Sequence, residues 1–195
     1  MICVMRWGRM TAVAVGLVLT AGMAACGGGG EPAPAQKRFK AGASSSPGGL
    51  TVKSSAFGDG GSIPQRHSCK GQNQPPPLQW TGVPPGTKGV AVVVTDPNAT
   101  SGVFVHWIVT GLPTTPVGSL SATLPPGAKV EPNSAEQAGY TGMCPPADEQ
   151  HSYMFEVLAL SRPVTFAPGT SPIDKVKQLR AATTKSGKLT GTFKG

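Results

Sequence analysis

The chain is 195 residues long, with 27 glycines, 20 prolines, only 13% charged residues and a formal net charge of +8. So much glycine and proline, with helix formers sparse after residue 50, excludes a helical bundle and favours a mainly β, loop-rich protein. Arg6, Arg9, Lys37, Arg38 and Lys40 all precede residue 50, which leaves 12 basic and 8 acidic residues beyond it. No Lys/Arg run and no basic face interleaved with aromatics remains there, so no nucleic-acid partner is expected.

The N-terminus reads as an address. Arg6 and Arg9 form a positive region, Thr11 to Met23 is a short apolar stretch, and small residues precede Cys26. Met23-Ala24-Ala25-Cys26 resembles a lipobox, in which a peptidase cuts before the cysteine and its thiol carries a diacylglycerol. Residues 1–25 are therefore expected to be a lipoprotein-type signal peptide and Cys26 the lipidated residue. An ordinary cleaved signal that leaves Cys26 as a free thiol is the alternative. A retained membrane span is excluded, because the apolar run falls short of the roughly 20 residues needed. Residues 26–49 hold four glycines after Cys26, then Glu31-Pro32-Ala33-Pro34 and Ser44-Ser45-Ser46-Pro47-Gly48-Gly49. Nothing in them could build a core, so they read as a flexible tether. The expected location is the outer side of the cell membrane, periplasmic or extracellular, with the membrane reached through the lipid.

The domain is expected over residues 50–195, a length able to bury a core unaided. Leu50–Ser54 alternates apolar and polar residues as a strand does. Val90–Thr95 is a continuous β-branched run, which predicts a strand covered on both faces. Phe104–Val109 and Tyr153–Leu160 are further strands rich in aromatic and branched residues. Ser171-Pro172-Ile173-Asp174 starts a helix with an N-cap serine, a proline at the first turn and an acid beside it, and Ser186-Gly187 is expected to end it. Leu189–Phe193 reads as a final edge strand. Between the elements run stiff, proline-dense connections such as Pro75-Pro76-Pro77, Pro84-Pro85-Gly86 and Cys144-Pro145-Pro146. Once Cys3 leaves with the leader and Cys26 takes the lipid, Cys69 and Cys144 remain. In an oxidising compartment they are expected to pair, closing a long loop worth about 3–5 kcal/mol; two free buried thiols are the alternative.

Three segments together resemble the phosphatidylethanolamine-binding protein family, in particular its bacterial branch, often labelled Raf-kinase-inhibitor-like. The first runs from Ile63-Pro64 through His67-Ser68-Cys69-Lys70-Gly71-Gln72-Asn73 to Pro76-Pro77-Leu78-Gln79-Trp80 and Val83-Pro84-Pro85-Gly86-Thr87. The second is Thr95-Asp96-Pro97-Asn98-Ala99 followed by Val105-His106-Trp107, and the third is Gly139-Tyr140-Thr141-Gly142-Met143-Cys144-Pro145-Pro146 followed by His151-Ser152-Tyr153. The resemblance covers roughly Leu50 to Gly195. It implies two antiparallel β-sheets with a short C-terminal helix, and a small surface pocket for phosphate-like anions such as the head group of phosphatidylethanolamine. It places Asp96, His106, His151 and Tyr153 at the pocket, with the Gly142–Pro146 loop, including Cys144 and Pro145, as one wall. The chain departs from the family pattern at Asn98 (usually an acid), Met143 (usually proline or a small residue), Ser152 (often arginine) and Lys70 (often an acid).

Read as chemistry, Asp96 beside two histidines is expected to raise the pKa of both and make them donors to a phosphate. Tyr153 adds an O–H donor, backbone amides of the glycine- and proline-shaped loop complete a cage, and the carboxylate suits a zwitterionic or protonated ligand. His67, in a Ser/Cys/Lys-rich loop, reads as structural, and Trp80 and Trp107 as core or pocket-wall residues. The expected function is non-catalytic binding of a phospholipid head group or other small phosphorylated ligand, with no cofactor. The alternative is a protein-interaction module, such as a protease inhibitor or signalling modulator, acting through the proline-rich loops. An enzyme ranks last. Asp96, His106 and Ser152 imitate a triad but lack the G-x-S-x-G elbow, and His67, His106 and His151 lack zinc-ligand spacing.

Overall fold

The computed structural model describes residues 49–195; the expected leader (1–25), Cys26 and the tether as far as residue 48 lie outside the described residues. In chain order the elements are β1 (Thr51–Ser54), β2 (Gly61–Ser62), a 3-10 turn (Gln65–His67), β3 (Leu78–Thr81), β4 (Gly89–Asp96), β5 (Phe104–Leu112), β6 (Val117–Leu120), β7 (Lys129–Val130), β8 (Gln150–Leu160), α1 (Pro172–Ala181) and β9 (Thr183–Lys194). They build a three-stranded sheet in the order β1-β3-β6 and a six-stranded sheet in the order β2-β9-β8-β4-β5-β7. Every strand pair is antiparallel except the two-residue β2–β9 pairing at one edge. Among the described residues no helix is long and apolar enough to cross a membrane.

The β4 run explains the layering. Val90, Val92 and Val94 face the three-stranded sheet and join Trp80, Trp107, Phe155 and Val157 in the main core. Ala91 and Val93 face the other way and join Ile108, Leu158, Val176 and Leu179 under the helix. A strand walled in on both sides has no solvent face, which is why its sequence shows a continuous apolar run without alternation. Trp80 and Trp107 are both core residues, and Trp107 sets its ring edge-on to Tyr140 at 5.8 Å. Lys175, from α1, is buried too, and its ammonium is held by Glu131 at 2.8 Å and lies 5.3 Å over the Phe166 ring. Cys69 and Cys144 are bonded, with Cα atoms 5.5 Å apart, so the paired-cysteine expectation holds over two free thiols.

The helix begins as its sequence predicts: Ser171 accepts from the Asp174 amide and Pro172 opens the first turn. Its end differs. α1 stops at Ala181, while Ser186 and Gly187 already pair with Leu158 and Val157 inside β9. Gly187 is needed for close approach, since a Cβ there would collide with the Leu50 carbonyl. The last strand is accordingly twelve residues long rather than Leu189–Phe193, and lies between β8 and β2 rather than at the open edge. Tertiary contact here overrides the turn signal that Ser-Gly carries in isolation.

Gly187→Val is expected to lower the stability of the domain by about 1–3 kcal/mol, the usual cost of overpacking a fitted contact. Urea unfolding of the variant beside the wild type checks this, and an unchanged midpoint would show that Leu50 yields without cost.

Candidate functional site

The core between the sheets turns polar at one end, where the last residue of β4 meets the start of β5 and β8. Alternation carries Asp96 onto the face of β4 shared by Val90, Val92 and Val94, and carries His151 and Tyr153 onto the face of β8 shared by Phe155. His106 gets there differently. Val94 pairs with Trp107 but Thr95 pairs with Val105, so one residue of β5 is bulged out at this point. Val105 and Ile108 pack on the helix side while Trp107 packs between the sheets. The extra residue lets His106 face inward beside Trp107. Re-aiming a side chain is a common use of a bulge.

Asp96 is 4% exposed and each oxygen of its carboxylate accepts a hydrogen bond. Oδ2 accepts from His151 Nδ1 at 2.7 Å and Oδ1 from the Asn98 amide at 2.7 Å. Asn98 in turn accepts from the Ser152 amide at 2.9 Å, which ties the β4 turn to β8. His151 Nε2 faces Glu149 Oε2 at 3.3 Å. Burial pulls the His151 pKa down, but hydrogen bonds and charge from Asp96 and Glu149 outweigh it and hold the ring above its ordinary value. An imidazolium donating to two carboxylates is the result.

His106 differs from its expected state. Its Nδ1–H donates to the Thr141 carbonyl at 2.7 Å, and the Thr141 amide donates back to the His106 carbonyl at 3.0 Å. Asn133, wholly buried, braces this clip: its amide nitrogen shares two protons among the His106 and Gly139 carbonyls and Thr141 Oγ1. Burial lowers the His106 pKa, and the nearby charge of His151 adds to that, against the opposing pull of Thr141 and Asp96. The expectation that both histidines are raised is thus corrected: the Asp96 charge pulls His106 upward as well, but burial outweighs it. A neutral His106 with its proton on Nδ1 turns an acceptor lone pair at Nε2 towards the site.

That Nε2 is buried and has no hydrogen-bond partner, and the same holds for the Tyr153 hydroxyl. The two rings meet edge to face at 5.3 Å; Phe104 flanks His106 at 4.7 Å, and His151 stacks on Tyr153 at 6.4 Å. Burial raises the Tyr153 phenol well above its ordinary value, and Asp96 adds to it through its charge and through the approach of its carboxylate to the hydroxyl, short of a formed hydrogen bond, so it stays an O–H donor.

The loop wall is less generous with amides than expected. The Gly142 N–H is already given to Asn73 Oδ1 at 2.6 Å, and Pro145 and Pro146 have no N–H at all. Gly142 is needed because a Cβ would meet Asn73 Oδ1 and the His67–Ser68 backbone within 3 Å. Cys144 is tied to Cys69, and the Pro145 carbonyl lies against Gly195. Met143 is fully buried, with its sulfur against the Tyr140 hydroxyl, so it is a core residue. His67 is structural, its Nδ1 bonded to the Gln74 carbonyl at 2.8 Å. The imitation triad does not assemble, because Asp96 serves His151 and strand alternation turns Ser152 away from it.

Reading the sequence missed Glu149, Thr141, Asn133 and Asn73. Glu149 had a usable signal, since it stands one residue before β8 and two before His151, the spacing that puts side chains on the same side of an extended chain. The other three act from loops whose meeting no local pattern announces.

The family model described as phosphatidylethanolamine-binding protein matches residues 53–194. The chain belongs to that family. LppC of Mycobacterium tuberculosis, whose name describes a candidate lipoprotein, is 35% identical over 96% of this chain and 97% of its own length. A UPF0098 protein of Methanothermobacter thermautotrophicus is 34% identical over 74% of this chain and 99% of its own. Among solved structures, YbcL of E. coli, described as a member of the mammalian family, superposes with a TM-score of 0.69 at 32% identity over 75% of this chain and 98% of its own. The two sheets and the helix near the C-terminus seen among the described residues are thus the family's fold.

The histidines should titrate in opposite directions from free imidazole. NMR of the ring resonances is expected to show His151 keeping its proton to a higher pH, and His106 losing it at a lower one; the reverse order would overturn the assignment. By linkage, the unfolded chain takes up the His106 proton more readily than the folded one, so this group costs stability as pH falls below about 6.5. His151 has the opposite sign: its contribution is complete at low pH and is lost as pH rises through its elevated value.

Proposed function

We propose that this domain binds phosphate-type anions or phospholipid head groups without turning them over, held at the outer side of the cell envelope by a lipid on Cys26. One observation carries the binding half. His106 Nε2 and the Tyr153 hydroxyl are buried, unpartnered and adjacent, beside the charged Asp96–His151 pair. Buried polar atoms in native proteins nearly always have partners, so two left over in one place point to a missing ligand. Their needs are complementary. A phosphate oxygen that carries a proton donates to His106 Nε2, and its neighbour on the same phosphorus accepts from Tyr153. His151 adds positive charge, and Asp96 or Glu149 can receive an ammonium. Gly142, Cys144 and Pro145 form the rim in this reading and contribute shape more than hydrogen bonds.

Family membership supports a binding role. The envelope half rests on Arg6, Arg9 and the Met23–Cys26 lipobox, and gains support from the candidate-lipoprotein name of a relative aligned over nearly the whole chain.

Thermal-shift titration of the purified protein with inorganic phosphate and phosphoethanolamine tests the proposal. A ligand at about a hundred times its dissociation constant should add roughly 2.7 kcal/mol, or several degrees for a domain of this size. His106→Ala should abolish the shift. Tyr153→Phe keeps the ring packing and removes a hydroxyl that makes no formed hydrogen bond, so it should leave the free protein close to wild-type stability while weakening the ligand. A missing wild-type shift with both ligands would sink the binder reading and turn attention to partner capture by the proline-rich loops.

A further inference from the structure

One side chain already sits where an anion has to sit. Glu149 Oε2 lies 3.3 Å from His151 Nε2, the ring nitrogen that Asp96 leaves over. The Glu149 backbone is pinned: its N–H donates to the Pro146 carbonyl at 3.1 Å, and its carbonyl accepts from the Gly195 amide at 2.9 Å. Asp148 just before it takes the left-handed φ of 67°, closing the turn that delivers Glu149 to the face of His151 and Tyr153. The carboxylate itself is held more loosely than its backbone. Its side chain is 54% exposed and its contact with His151 is long, whereas the Asp96–His151 bond is buried at 2.7 Å. Exposed ion pairs of this kind are weak and exchange readily with solvent.

We infer that Glu149 is the selectivity residue of this site, a displaceable carboxylate that occupies the position of a ligand oxygen on His151 Nε2. The inference rests on the anion-binding reading above and refines it. Because the backbone is pinned at both the amide and the carbonyl, a displaced Glu149 side chain stays beside the incoming group. A simple dianion such as inorganic phosphate then meets a like charge a few ångströms away. A phosphate carrying its own cationic group gives Glu149 a new partner instead. Glu149 therefore penalises plain phosphates and spares zwitterions, without taking part in the contacts that His106 and Tyr153 supply.

Asp148 provides the control. Its side chain is 93% exposed and pairs with Lys194 at 3.4 Å, so Asp148→Asn removes a neighbouring charge without touching His151. Asparagine also tolerates the left-handed conformation that this position requires. Calorimetric titrations of inorganic phosphate and phosphoethanolamine into wild type, Glu149→Gln and Asp148→Asn, at one pH and low salt, form the test. Glu149→Gln is expected to bind inorganic phosphate about three- to tenfold more tightly, the size of one like-charge contact near a protein surface. Its gain for phosphoethanolamine should be smaller, so the preference for the zwitterion narrows. Asp148→Asn should stay within about twofold of wild type, as befits a screened, exposed charge. Wild-type binding with no gain in Glu149→Gln would overturn this inference alone, and an equal gain in Asp148→Asn would replace it with a diffuse charge effect. Failure of all three proteins to bind either ligand would overturn the anion reading and this inference with it.

Discussion

A carboxylate buried at the end of a core strand is the constraint around which this end of the molecule is organised. β4 is walled in on both faces by valine and alanine, yet ends in Asp96, which is 4% exposed. A buried charge costs several kcal/mol unless it is paired and hydrogen-bonded, so the surroundings of Asp96 must answer it. The Asn98 amide takes one oxygen and the His151 ring takes the other. The turn after β4, the start of β8 and the charge state of His151 all follow from that demand. Asn98, which removes an acid from the family pattern, also spares the site a third carboxylate beside Asp96 and Glu149.

The two histidines then divide the work by environment rather than by type. His151, between Asp96 and Glu149, is kept charged; His106, clipped to Thr141 and enclosed by aromatic rings, is kept neutral. One supplies positive charge and the other a lone pair. With two carboxylates set against a single imidazolium, the site is not the simple cationic cage that a pair of raised histidines would make. Its chemistry suits a group that brings a proton or an ammonium of its own.

Rigidity comes from the loops rather than from the sheets alone. The Cys69–Cys144 bond, the Tyr140 hydroxyl on the His67 carbonyl and the Asn73 side chain on the Gly142 amide all tie the 67–73 segment to the 139–146 segment. Thr141, between those ties, holds His106. A preset wall of this kind reduces the ordering that a ligand must impose on binding.

Much of this was legible in the residues themselves. The apolar run at Val90–Val94 stated a strand covered twice, Ser171-Pro172 stated the start of the helix, and the leftover cysteines stated their bond, because each rests on local periodicity, local capping or simple elimination. The three motifs placed the family and drew Asp96, His106, His151 and Tyr153 together. What only the tertiary structure decided is how those four are used. The bulge that turns His106 inward depends on the register of β5 against β4. The neutral state of His106 depends on burial and on a carbonyl 35 residues away. The loss of the Gly142 amide to Asn73 and the passage of Gly187 beneath Leu50 are contacts between distant segments. Pattern along a chain records which way a side chain points; pKa, register and close approach are set by neighbours that only folding brings near.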